Sequence, residues 1–160
     1  MSNKQKWEEA TYKSVIRPQR ARIHCNFDEW VTKDSPKWQR ECFVQLRRYQ
    51  SLECHDGMSM DASDTCWRFT EILSLTDDCL NEKREKYEES LIGAICFTRK
   101  PEIIMLEFCW IHPFWRNKGL VKSKWPLFQK KFGIFHVSYP RTKAMQGLLK
   151  SVGFIDPNLQ

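Results

Sequence analysis

The residues best equipped for chemistry lie between His112 and Leu127, in the run HPFWRNKGLVKSKWPL, which holds four basic side chains, two indoles, one glycine and no acid. It directly follows the most apolar segment of the chain, IIMLEFCWI, Ile103 to Ile111. An apolar strand that enters a glycine-bearing turn and then a helix leaves several backbone N–H groups unpaired at the helix N-terminus. With the positive end of the helix dipole, those donors suit a phosphate or a diphosphate. Arg116, Lys118 and Lys122 add charge at the same point, and Gly119 permits close approach to the backbone. An ordinary basic turn ahead of an amphipathic helix is the competing reading of the same residues.

Charge follows the same division. From Phe108 to Ile155 there are nine Lys or Arg and no Asp or Glu. Of the 26 Lys and Arg in the chain, 17 therefore lie elsewhere, against 20 acids, so the net charge of +6 conceals one basic block. A solvated face mixes its signs, and a one-signed block points to an anionic partner: phosphate, nucleic acid or an acidic protein. The cysteines number seven, with no CxxC pair, and read as reduced thiols rather than a disulfide framework. A zinc ion could be drawn to His24, Cys25, Cys54 and His55, but adjacent ligands converge poorly on one tetrahedral centre, so no metal site is expected.

Positioning the basic turn requires a folded unit. At 160 residues, 41% hydrophobic, with seven Trp and ten Phe, residues 1–160 are expected to form a single packed domain. The N-terminus, MSNKQKWEEA, lacks the apolar run of a signal peptide, and no segment is long enough to span a membrane, so a cytoplasmic protein is expected. The segment DSPKWQRECFVQLRRYQ predicts a helix over residues 34–50, capped by Asp34 or Ser35, with Trp38, Cys42, Leu46 and Tyr49 facing the core. Glu53 to Thr65 reads as a polar loop.

Cys66 to Leu75 and Ser90 to Arg99 read as an antiparallel strand pair, separated by the charged stretch DDCLNEKREKYEE, for which a short helix is the alternative. Ile103 to Ile111 reads as a central strand buried on both faces. Gly119 to Phe132 reads as a helix with Val121, Trp125, Phe128 and Phe132 on one stripe and a kink at Pro126. A strand from Ile134 to Pro140 follows, then a helix capped by Thr142, with Ala144, Leu148 and Val152 on one face and Gly153 at its end. Strand, helix, strand, helix implies two parallel strands joined by a right-handed crossover.

At this point the residues carry a likeness. The run WIHPFWRNKGLV, Trp110 to Val121, resembles the acetyl-CoA signature of the GNAT superfamily of N-acetyltransferases, (Q/R)-x-x-G-x-(G/A) after an apolar strand and a proline. Arg116 stands at its first position and Gly119 at its glycine, while Val121 departs from the usual Gly or Ala. TKAMQGLLKSVGF, Thr142 to Phe154, is similar to the superfamily's second signature, N-x-x-A-x-x-x-x-Y-x-K-x-G-F, with Leu149 in place of the tyrosine that protonates the leaving thiolate. HVSYPRTKA, His136 to Ala144, resembles more faintly the cohesin-type acetyltransferases, although their paired-Cys, paired-His finger is missing.

The resemblance implies an α/β (α+β) fold, a mixed and mostly antiparallel sheet with two splayed parallel central strands flanked by helices. It also implies acetyl-CoA as cofactor, held by Phe108, Cys109, Trp110 and Ile111 along the pantetheine and by Arg116, Asn117, Lys118, Gly119, Leu120 and Val121 at the diphosphate, with Thr142 beside them. Residues 102–155 would be the cofactor half and 1–101 the acceptor half. Acetyl transfer to an amine needs a base, and Glu107 is the acid within the central strand; its bland reading is an edge carboxylate paired to a surface Lys or Arg. Tyr139, next to Ser138, is the candidate proton donor in place of the missing tyrosine, and His112 is a second candidate base. Cys109 invites an acyl-cysteine route, but direct transfer is the superfamily norm.

The expected activity is therefore an N-acetyltransferase acting on an amine, of a protein lysine or a small molecule, by a monomer or a dimer. The alternative is a non-catalytic acyl-CoA or nucleic-acid binder using the basic half, with Trp115, Trp125 and Phe132 available for stacking. Trp125 and Phe132 lie on the apolar stripe, which favours burial. Pro157, in the six residues after Phe154, limits any closing strand, so the sheet is expected to end early.

Overall fold

A computed structural model of the chain describes residues 26–57, 59–80 and 87–159. Trp7, His24, Cys25 and the middle of the charged stretch, 81–86, lie outside them. In chain order come β1 (Trp30–Val31), α1 (Lys37–Cys54), the single turn α2 (Asp64–Trp67), β2 (Thr70–Leu80), β3 (Tyr87–Arg99), β4 (Ile104–Ile111), α3 (Leu120–Phe132), β5 (His136–Val137) and α4 (Lys143–Ser151). The five strands form one sheet in the order β1-β2-β3-β4-β5; neighbours are antiparallel except β4 and β5, which are parallel. The class is α/β with a mixed, mostly antiparallel sheet.

Helix α1 starts and ends about a turn later than the sequence suggested. Pro36 occupies its N-cap, and Ser35 instead accepts a hydrogen bond from the Thr32 amide (3.0 Å), so neither Asp34 nor Ser35 caps it. Nothing in Ser51 to Cys54 breaks a helix, and it stops only where His55 turns left-handed, at φ 53°. Glu53 and Cys54 therefore belong to the helix, not to a loop.

Cys66 and Trp67 are helical rather than extended. Trp67, fully buried, donates its indole N–H to the Asp61 carbonyl (3.0 Å), and the Thr70 hydroxyl bonds back to the Cys66 carbonyl (3.0 Å). Strand β2 then runs to Leu80 and β3 starts at Tyr87, so the ends of the charged stretch are strand rather than helix.

Each sheet face has its own core. Phe43, Leu46, Tyr49 and Trp67 pack with Ile72, Cys96 and Trp110 under α1. On the other face Phe97, Trp125, Phe128, Phe132 and Leu149 join α3 and α4 to the sheet, with Phe97 stacked on Phe132 at 4.3 Å. Removing a fully buried ring such as Phe128 costs about 3–5 kcal/mol in cores of this kind.

Three expectations about the C-terminal half are corrected. Strand β4 is half-buried apart from Leu106 and Trp110, because its second half borders a gap. Strand β5 has two residues rather than seven and lies at the sheet edge, so the parallel pair is not central. The buried face of α4 centres on Leu149, with Met145, Leu148 and Val152 packed alongside and Ala144 exposed. Other expectations hold: Thr142 accepts from the Met145 amide (3.1 Å) as the α4 cap, Gly153 turns at φ 67°, and α3 ends at Phe132 with Pro126 inside it. After Phe154 the described chain forms a short 3-10 turn, Pro157–Leu159, and no further strand. No helix among the described residues is long and apolar enough to cross a membrane.

Candidate functional site

Between β4 and α3 the chain makes a fixed corner. His112, buried, accepts the Phe114 amide on Nδ1 (3.2 Å), stacks on the Phe114 ring at 5.2 Å and starts the 3-10 turn Pro113–Trp115. That is a capping role, so the second candidate base lies within the scaffold. Trp115 anchors the turn by donating its indole N–H to Asp77 of β2 (2.9 Å). Two successive kinks follow, Asn117 at φ 61° and Gly119 at φ 71°, and α3 begins at Leu120 with no acid in its first turn. Left-handed residues just ahead of a helix gather amide groups into an anion-binding concavity.

Among the described residues no protein atom accepts a hydrogen bond from the amides of Asn117, Lys118, Gly119, Leu120, Val121 or Lys122; the first helical bond runs from Ser123 to Gly119 (2.9 Å). Asn117, Lys118 and Gly119 are exposed. These donors open on a cavity of about 380 Å³. Its walls are the last turn of α1 (Gln50, Glu53, Cys54), the end of β4 (Cys109 to Ile111), the corner and first turn of α3 (Trp115 to Lys122), and the start of α4 (Thr142, Ala144, Met145, Leu148). Ten of the thirteen expected site residues thus come together: Cys109, Trp110, Ile111, Thr142 and the run Arg116 to Val121. Two helix N-termini face one cavity.

Its β4 wall has an open edge. Strands β4 and β5 pair through Met105 with His136 and Leu106 with Val137; Ser138 then bonds to the carbonyls of Leu106 (amide, 3.0 Å) and Glu107 (hydroxyl, 2.7 Å), and beyond that β5 ends and β4 runs on without a parallel neighbour among the described residues. Because the His112 amide reaches the Ile92 carbonyl on β3 (2.8 Å), strand alternation turns the amides of Cys109 and Ile111 the other way, into the gap. Phe108 and Trp110 turn their main chain toward β3, so only half of the expected pantetheine partners point into the gap. Phe108 also lies outside the cavity, with the Arg47 guanidinium 5.5 Å over its ring.

Glu107 sits at the fork. The register of β3 against β4 skips it, making it the bulged residue. Its carboxylate accepts the Thr98 hydroxyl (2.7 Å) and lies 3.9 Å from Lys100 Nζ, while the side chain keeps 31% of its exposure. The surface-paired arrangement is therefore present, on a carboxylate that keeps contact with solvent. Glu107 does not line the cavity. Tyr139 does not either: exposed, it donates its hydroxyl to Asp156 (3.1 Å) beneath the Arg141 guanidinium, 3.9 Å from the ring.

Arg116 behaves differently from expectation. Its guanidinium grips Glu53 with two prongs (2.5 and 2.7 Å) and its Nε donates to the Ile111 carbonyl (2.8 Å). Glu53 also accepts the Trp110 indole N–H (2.9 Å). The arginine thus ties α1 to the corner, and the charge available to an anion comes from Lys118 and Lys122, both exposed on the cavity wall. Two other basic residues of the block are used in the same way, Lys131 on Glu71 (3.3 Å) and Arg141 on Asp156 (2.9 Å). Trp125 and Phe132 are buried, which removes them as stacking platforms for bases.

Cys109 keeps some accessible surface, but its packed surroundings push the thiol up to about 12 despite nearby Arg116, so it is protonated and a poor nucleophile at neutral pH. Burial, then the charges of Glu53 and Asp56, also raise the Cys54 thiol. Neither favours an acyl-cysteine. Among the described residues no group of three or more His, Cys, Asp or Glu could hold a metal ion.

Sequence reasoning missed Gln50, Glu53 and Cys54. Their signal was the continuation of the α1 stripe, Leu46, Gln50 and Glu53 at positions i, i+4 and i+7. No protein-family model matches the chain, and a search of curated proteins returns no match.

Proposed function

We propose that the protein is an acetyl-CoA-dependent N-acetyltransferase of GNAT type that acetylates an amine by direct transfer. One observation carries the reading: six amides at the start of α3, without an acceptor among the described residues, open on a cavity that continues along the free edge of β4, past the end of the short parallel pair. A diphosphate matches the amide concavity, and an extended arm with its own amides matches the strand edge. The departure at Val121 leaves a half-buried side chain on the wall without closing the cavity.

The chemistry assigned to the chain's own residues is limited. The amine nitrogen attacks the thioester carbonyl, its proton passes to Glu107 directly or through water, and the C–S bond breaks to release the thiolate. Tyr139, outside the cavity lining, is the expected proton donor to that thiolate, and the role requires its hydroxyl to leave Asp156. The high Cys109 thiol supports direct transfer over a covalent intermediate.

Titration calorimetry with acetyl-CoA tests the reading at its base, because every step requires that complex. Saturable binding with one site is expected; no binding would end the proposal. Glu107→Gln should then leave acetyl-CoA affinity within about threefold while lowering turnover on the acceptor by about 10²-fold or more.

A further inference from the structure

The last turn of α1 places a carboxamide against the free edge of β4. Gln50 lines the same cavity as the amide concavity, and its Nε2 donates to the Cys109 carbonyl across a long 3.4 Å. Its Oε1 is buried and has no hydrogen-bond partner among the described residues. A buried carbonyl oxygen left unpaired is destabilising on the order of 1–3 kcal/mol, so such groups call for an explanation.

The β4 edge of the same cavity carries donors. The amides of Cys109 and Ile111 turn into the gap by strand alternation, while the carbonyls of those two residues are already taken by Gln50 and Arg116. The gap therefore presents one acceptor on the α1 side and two donors on the β4 side. That pattern is complementary to a secondary amide, whose N–H meets an acceptor and whose C=O meets a donor. A bare nucleotide diphosphate fills the concavity at α3 and leaves Gln50 unsatisfied. A diphosphate that carries an amide-bearing arm satisfies both ends.

We infer that Gln50 is a positioning residue that reads an amide of the pantetheine arm, accepting its N–H on Oε1, and so selects CoA over nucleotides that end at the diphosphate. The inference rests on the acyl-CoA reading above and adds to it a contact from α1, outside the segments that resemble the superfamily. It also gives a use to the helical turn that carries Gln50, Glu53 and Cys54 to the cavity.

The test compares two ligands on three proteins. CoA carries the arm; 3′-phosphoadenosine 5′-diphosphate keeps the nucleotide and both 5′ phosphates and lacks it. Gln50→Leu and the closer-shaped Gln50→Met are titrated against each ligand beside the intact chain, with thermal unfolding run in parallel. The expected result is a fivefold to tenfold weaker CoA affinity, about one hydrogen bond, with affinity for the diphosphate changed less than twofold. Equal loss for both ligands, or unchanged CoA affinity in either variant, overturns the role of Gln50 while the acyl-CoA reading stands. If the unaltered protein binds neither ligand, the acyl-CoA reading falls and this inference falls with it.

Discussion

Arg116 and Glu53 form a two-pronged ion pair, with contacts of 2.5 and 2.7 Å, between the corner ahead of α3 and the last turn of α1. The arginine at the head of the proposed phosphate-binding turn is thus already neutralised, and it holds the cavity's walls together. Arg116→Ala should lower stability by about 2 kcal/mol, since it removes paired, charge-assisted bonds from a half-buried site. Acetyl-CoA affinity should fall less than about threefold. Denaturant unfolding and calorimetry on the same variant separate the two; a large affinity loss with intact stability would mean that the guanidinium leaves Glu53 for the ligand.

Gly119 predicts the opposite balance. At φ 71° an alanine is strained by about 1 kcal/mol, and its Cβ would meet no protein atom within 4 Å. Gly119→Ala should therefore lower the melting temperature by only about 2–4 °C. The added methyl stands beside the amide concavity, so acetyl-CoA affinity should drop by about tenfold or more. Melting by circular dichroism and binding by calorimetry decide.

Gly93 is a packing glycine. A Cβ there would lie 2.7 Å from Ile111 Cδ1 and 2.9 Å from the Trp110 carbonyl oxygen, directly across the β3–β4 ladder from the cavity wall. Backbone cannot yield as a side chain does, so Gly93→Ala should cost about 1–3 kcal/mol. Chemical denaturation that shows no loss would mean the strand ladder relaxes freely at this point.

At the C-terminus, the Asp156 carboxyl is held below the ordinary carboxylate value, first by the Asn158 amide, then by the Arg141 guanidinium, with Tyr139 adding its hydroxyl. The sign follows from the direction. Because the folded value is the lower one, the stabilisation is complete above the unfolded carboxylate range and fades as pH falls through the folded value. Unfolding free energy measured from pH 7 down to pH 2 should drop below about pH 4, and Asp156→Asn should flatten that limb of the curve.

Cys109 offers a check on the route of transfer. Cys109→Ala should keep turnover within about threefold, and intact-mass analysis after incubation with acetyl-CoA should find no acetyl group on the protein. A trapped acetyl-thioester at Cys109 would refute direct transfer.

The parts of the fold legible in the sequence were those with strong periodicity and explicit punctuation. Gly119, the Thr142 cap and Gly153 fixed both C-terminal helices to within a residue, and the apolar run ending at Ile111 located the cavity's β4 wall. Length was harder to read. Strand β5 needs only His136 and Val137 because the gap replaces the rest of its pairing, and α1 outruns its apolar stripe because polar Gln50 and Glu53 face the cavity rather than the core. The engagement of Arg116 by Glu53 joins residues 63 positions apart, and local pattern carries no information at that separation.

Two helices, α3 and α4, begin on the same cavity, neither has an acid in its first turn, and Lys118, Lys122 and Lys143 stand exposed around them. Their potentials add outside the molecule as well as within it, so an anionic ligand is steered toward the mouth before it touches the wall. Capture should slow as ionic strength rises and the Debye length shrinks below about 10 Å, whereas escape, governed by contacts inside the walls, should hardly respond to salt.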